Sequence, residues 1–105
     1  MTDKRRPTYD LEAFKVAFST AGALNLTFTA ANDAADLGFG KSEIVALIQT
    51  MQPMHFYKSM TSHADYKVWQ DVYHVPSTVG LLYVKFTANT VTLFKLLSFK
   101  EKDNG

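Results

Sequence analysis

The sequence predicts an α+β fold, with helices packed on one face of a mostly antiparallel sheet. Two observations carry this. Before Pro53 the apolar residues recur at three- and four-residue steps, the period of a helix. After Pro53 aromatic and β-branched residues dominate, and they alternate with polar ones, the period of a strand. With 47% apolar residues, 13% of all residues aromatic, and no cysteine, a chain of 105 residues is expected to form one domain around its own core.

In the first half, Leu11, Phe14, Phe18 and Ala21 form an apolar stripe, with Thr8 or Asp10 as the expected cap and Gly22 as the stop. Asn25 to Phe28 reads as a short strand. Thr29 is the expected cap of an alanine-rich helix, Ala30 to Leu37, closed by Gly38. Ile44, Leu47, Ile48 and Met51 mark a third helix ended by Pro53.

In the second half, strands are expected at Tyr66 to Tyr73, Gly80 to Ala88 and Val91 to Phe99, the last two joined by a tight turn at Asn89. Leu82, Val84 and Phe86 should face the helices, and Tyr83, Lys85 and Thr87 the solvent. The last strand alternates less cleanly. Val91, Leu93, Leu97 and Phe99 share one side, while Phe94 and Leu96 share the other with Lys100. Residues 1–7 and 103–105 read as mobile tails of a single domain spanning 1–105.

Composition narrows the function. Without cysteine there is no disulfide framework, zinc knuckle or thiol catalysis, which suits a reducing cytoplasm. No apolar stretch approaches membrane-spanning length, so a soluble cytoplasmic protein without a membrane role is expected. The net charge of +1 is modest, but the balance is −1 over residues 1–54 and +2 over residues 55–105. Attraction for phosphate would therefore come from Lys58, Lys67, Lys85, Lys95, Lys100 and Lys102.

The chemistry concentrates in Phe56-Tyr57-Lys58-Ser59-Met60-Thr61 and in Val68-Trp69-Gln70-Asp71-Val72-Tyr73. Cations and amide donors beside flat rings are what recognition of phosphates and nucleobases requires. Lys58 could hold a phosphate whose oxygens gain charge in a transition state, or be a surface lysine lying over Tyr57. Gln70 shares its side of a strand with Val68 and Val72 and needs a partner, whether backbone or nucleotide. Trp69, pointing the other way, reads as core. Tyr83 and Lys85 could contact one phosphate together, with the lysine easing ionisation of the phenol. His63 or His74 could serve as a general base. His63, Asp65, Asp71 and His74 could be drawn as a metal site, but their spacing matches no ligand pattern, so no metal and no cofactor are expected.

Four blocks, Phe56 to Thr61, Trp69 to Tyr73, Gly80 to Lys85 and Ser98 to Lys102, together with Ala34-Ala35-Asp36-Leu37-Gly38, resemble the MqsR family in order and spacing. These motility quorum-sensing regulators are ribonuclease toxins of type II toxin–antitoxin pairs. The resemblance implies a RelE-like fold and metal-independent cleavage of single-stranded mRNA at GC-containing triplets such as GCU, leaving a 2′,3′-cyclic phosphate. It also implies silencing by an antitoxin protein of the MqsA type. Carried over by matching motif, the catalytic residues would be Lys58, Gln70, Tyr83 and Lys100. Tyr57, Tyr73, Lys85 and His74 are expected to bind substrate, with His74 standing where better-known members have an arginine and compensating for it when protonated. A regulator that binds nucleic acid or protein without cutting is the alternative.

Overall fold

In the computed structural model, which describes residues 2–89 and 94–102, the strands form one antiparallel sheet in the order β1-β2-β3-β4-β5. The elements follow the chain as β1 (Asp3–Lys4), α1 (Leu11–Ala17), α2 (Phe28–Asp36), α3 (Lys41–Gln49), β2 (Phe56–Thr61), β3 (Trp69–Ser77), β4 (Gly80–Ala88) and β5 (Phe94–Glu101). The α+β class is as the sequence predicts.

Each helix begins and ends where its terminal groups find partners. Asp10 caps α1 by accepting from the Glu12 N–H, and Phe14 stacks on Phe86 of β4 with ring centroids 3.7 Å apart. The helix stops at Ala17, short of the expected Ala21. The Ser19 hydroxyl there donates to the Val16 carbonyl, and residues Ala21–Ala23 make a separate 3₁₀ turn. The expected strand at Asn25 to Phe28 shrinks to a single parallel bridge between Leu26 and Leu96, which covers part of the β5 edge. Thr27, two residues before the expected Thr29, caps α2 by accepting from the Ala30 N–H. Gly38 closes that helix at φ 84°. Its N–H donates to Ala35 O and that of Phe39 to Ala34 O, a pairing that requires the left-handed conformation. The Gly40 N–H donates to Glu43 Oε1 to start α3.

The sheet departs from the sequence reading in three places. Phe56 to Thr61, where no strand is expected, is itself one. The next strand begins at Trp69 instead of Tyr66, because Asp65 folds the preceding segment into a turn: its carboxylate accepts from the Lys67 N–H and its carbonyl from the Val68 N–H. The N-terminal segment, expected to be mobile, is an edge strand, with Asp3 opposite Met60 and Lys4 opposite Ser59. Buried Asp71 ties down the chain between β1 and α1, accepting from the N–H groups of Thr8 and Tyr9 at 2.9–3.1 Å. The expected turn beyond Asn89, with Val91 and Leu93, and the tail at 103–105 lie outside the described residues.

Two bulges decide which side chains face the helices. On β2, Phe56 pairs with Tyr73 and Lys58 with Val72, so Tyr57 is the extra residue. On β5, Ser98 pairs with Lys85 and Leu96 with Phe86, leaving Leu97 extra. Leu96 and Phe99, three residues apart, can therefore both enter the core, and both are fully buried. The simple alternation that put Leu97 with Phe99 fails for this reason. Tyr73, Val75, Leu82, Val84, Phe86, Leu96 and Phe99 pack against Phe14, Phe18, Ala30, Ala34, Ile44 and Ile48 from the helical half.

Candidate nucleic-acid cleavage face

The other side of the sheet carries the residues that the helices do not need. Alternation and register place them in rows across the strands. His74 lies opposite Tyr83, and Tyr83 opposite Lys100. In the next row Lys58 lies opposite Val72, Val72 opposite Lys85, and Lys85 opposite Ser98. In the third, Met60 pairs with Gln70. Val72 and Met60 are buried yet lie outside the core cluster, an apolar floor under the longer side chains around them.

Both bulges are needed for this arrangement. Phe56 turns inward onto Tyr73, with ring centroids 5.4 Å apart, and the Tyr57 bulge lets Lys58 turn outward only two residues later. The Leu97 bulge likewise moves Lys100 to the side opposite Leu96. The four residues carried over as catalytic, Lys58, Gln70, Tyr83 and Lys100, thus share one face. They are not packed around a point. At strand spacing, Lys58 and Lys100 are about 14 Å apart across the sheet, and Gln70 lies about 13 Å along β3 from the Tyr83 row. Lys85 occupies the middle.

Rings run along the first row. Tyr57 stacks on His74 at 4.3 Å and His74 tilts toward Tyr83 at 6.0 Å. Cations flank them, Lys58 at 5.4 Å from the Tyr57 ring and Lys100 at 5.5 Å from that of Tyr83. Asp3 reaches across from β1 to within 3.7 Å of the Lys58 ammonium.

Burial sets the protonation states. Desolvation, with a lesser contribution from Tyr57, pushes the Tyr83 phenol above its ordinary value of 10.0, so it stays protonated near neutrality. The expected easing of its ionisation by Lys85 is thereby corrected. Burial lowers Lys85, and the nearby Lys100 lowers it further. His74 is lowered from 6.5 by desolvation and then by Lys102, so its imidazole is neutral at pH 7 and not the cation expected to replace an arginine.

Tyr73 does not belong to this face. It is 1% exposed, stacks on Phe86 at 5.9 Å, and burial with Asp71 and Asp10 pushes its phenol up to about 12. Its expected part in substrate binding is replaced by a place in the core. Trp69 points toward the helical side but does not take the expected place in the core: it lies outside the core cluster, half-buried under Lys4, whose ammonium is 4.3 Å from the ring centroid. The histidines and carboxylates that might have formed a metal site are dispersed. His55 Nδ1 accepts from the Gln52 N–H, His63 is exposed, and Asp71 is engaged on the core side. Among the described residues no group of three or more His, Cys, Asp or Glu could hold an ion. A groove of about 380 Å³ between α3 and the β3–β4 hairpin, lined by Phe39, Leu47, Pro76 and Thr78, belongs to the helical side.

What sequence reasoning missed lies at the N-terminus. Arg5 brings its guanidinium to 5.9 Å from the Tyr57 ring and 3.5 Å from the Tyr57 carbonyl. Thr2-Asp3-Lys4-Arg5 has no apolar alternation, so nothing local announced a strand.

Comparison with known proteins finds similarity along nearly the whole chain. Residues 6–101 match the family described as motility quorum-sensing regulator, toxin of MqsA. The mRNA interferase toxin MqsR of Escherichia coli strain K12 is 35% identical over 100 residues, covering 95% of this chain and 99% of that protein. The chain therefore belongs to the motility quorum-sensing regulator family of toxins.

Proposed function

We infer that the protein is the mRNA-cutting toxin of a toxin–antitoxin pair, and that it cleaves single-stranded RNA on the open face of its sheet without a metal ion. The observation that carries this reading is the row of Tyr57, His74 and Tyr83 rings beside Lys58, Lys85 and Lys100, on the side away from the helices. Bases can stack on the rings while the ammonium groups meet phosphates.

The reaction is attack by a ribose 2′-oxygen on the adjacent phosphorus, with departure of the 5′-oxygen. The O2′–P bond forms, the P–O5′ bond breaks, and the products are a 2′,3′-cyclic phosphate and a 5′-hydroxyl. Neutral His74 takes the 2′-proton, and protonated Tyr83 supplies one to the departing oxygen. Lys85 and Lys100 offset the charge that grows on the non-bridging oxygens. Lys58, about 14 Å from Lys100 across the sheet, holds the next phosphate along the RNA and so positions the bond that is cut. Gln70, two rows from Tyr83, contacts a neighbouring nucleotide. Specificity for GC-containing triplets and an antitoxin of the MqsA type follow from the family alone.

The test uses purified protein, a defined single-stranded RNA and excess chelator. Cleavage should persist, leave cyclic phosphate ends, and slow about a hundredfold or more in Lys58→Ala while the melting temperature stays close to wild type. Cleavage abolished by chelator would overturn the metal-free reading. Wild-type rates in Lys58→Ala would remove this face from the chemistry, and binding without cleavage would favour a docking protein.

A further inference from the structure

Arg5 lies outside the segment that matches the family, which begins at residue 6. It is nevertheless held in place from both sides. Before it, the Thr61 N–H donates to Thr2 O at 2.8 Å, and the Thr2 N–H donates to Thr61 Oγ1 at 2.9 Å. After it, the Thr8 N–H donates to Asp71, and the Thr8 and Ser59 hydroxyls pair at 2.7 Å. The β1–β2 register, continued by one residue, sets Arg5 opposite Lys58.

That position brings two cations together at the edge of the cleavage face. Asp3 pairs with Lys58, while among the described residues no carboxylate pairs with Arg5. The Tyr57 bulge withdraws that residue from the β2–β3 pairing, and its carbonyl takes up one Arg5 N–H at 3.5 Å. A guanidinium has five N–H donors in a planar fork, suited to two phosphate oxygens at once, and here most of them remain free on an exposed side chain. Arg5 also ends the ring row. Beyond it lie Tyr57, then His74, then Tyr83, the rings at 4.3 Å and 6.0 Å from one another. From Tyr83 on β4 to the β1 edge is three strand spacings, about 14 Å, too far to share one phosphate.

We propose that Arg5, delivered by the N-terminal edge strand, binds a backbone phosphate of the RNA at least one nucleotide removed from the bond that is cut, with Tyr57 stacking the intervening base. This rests on the reading of the open face as the cleavage site. The binding strand would then cross the sheet roughly perpendicular to its strands, from the Lys100 end to the β1 edge.

The test measures binding of a single-stranded RNA carrying 2′-O-methyl groups, which cannot be cut, by the full chain at several salt concentrations. Arg5→Gln should raise Kd by about three- to tenfold and lower the salt slope by about 0.7, the contribution of one phosphate contact on a single strand. With cleavable RNA the loss should fall mainly in KM. Arg6→Gln removes the same charge one residue away and should change neither quantity. Equal losses in both variants, or no loss in Arg5→Gln, would overturn the inference. If Lys58→Ala and Tyr83→Phe lose cleavage while Arg5→Gln binds as wild type, only the role of Arg5 falls. If all three cut at the wild-type rate, the cleavage face itself is refuted and Arg5 with it.

Discussion

The two faces of the sheet are made by the same strands and differ in almost every physical respect. On the helical face, β3, β4 and β5 present fully buried Val75, Leu82, Val84, Phe86, Leu96 and Phe99, with rings in contact. On the open face, the intervening positions hold amines, an amide, an imidazole and a phenol over a thin apolar floor of Val72 and Met60. The first face supplies stability by excluding water. The second gives up further burial to keep cations and rings within reach of solvent, at positions held by strand pairing and not by loops. Rigid elements hold reactive groups more accurately than loops do.

The largest test of this division is insertion of one alanine between Ser98 and Phe99. The inserted residue takes the place opposite Val84, so Phe99 moves to the open face and Lys100 to the helical one, because one residue of slip exchanges every side chain after it. The insertion should cost about 3–5 kcal/mol in urea unfolding, as for an aromatic ring expelled from a core, and abolish cleavage together with it. A variant that stays folded and active would show that strand register does not aim these side chains.

Phe86→Ala separates the faces more cleanly. Phe86 touches Phe14, Tyr73, Tyr9 and Phe94, so its loss should cost about 3–5 kcal/mol of stability. Under conditions where the variant remains folded, cleavage should stay within a few-fold of wild type. A hundredfold loss of rate in the folded variant would mean that the two sides are coupled.

His74 gives the smallest effect on stability and the most specific one on cleavage. A base with its pKa lowered below 6.5 is active when unprotonated, so cleavage should rise with pH along a limb centred below 6.5, and His74→Gln should remove that limb. Stability should move in the same direction. The unfolded chain binds the proton first as pH falls through 6.5, so acid destabilises the wild type more than His74→Gln, and above 6.5 the difference between the two should stop changing with pH. An unchanged pH–rate profile in the variant would assign the base to another group, with Lys85 the next to test.

Local patterns made much of this molecule legible in advance. The stripe of Leu11, Phe14 and Phe18, the stop at Gly38, the third helix before Pro53 and the alternation of β4 depend on neighbours within a few residues, and each is found. The blocks around Lys58, Gln70, Tyr83 and Lys100 carried their chemistry in their composition. Less local features escaped. Thr27 outcompetes Thr29 as a cap because residues 25–27 are held on β5 by Leu26, a contact with a residue far along the chain. Tyr73 looked like a site residue because its block is rich in chemistry, yet its parity sends it inward.

Residue order alone was enough to set the class of fold, the inventory of reactive groups and the stretches that hold them, since these follow from propensity, spacing and side-chain chemistry within short windows. Which groups share a face, which of them stay neutral and where the N-terminus lies came from pairing between distant strands. Two extra residues in that pairing, Tyr57 and Leu97, change the parity of everything after them, and parity in a sheet is a property of the partner strand as much as of the chain itself.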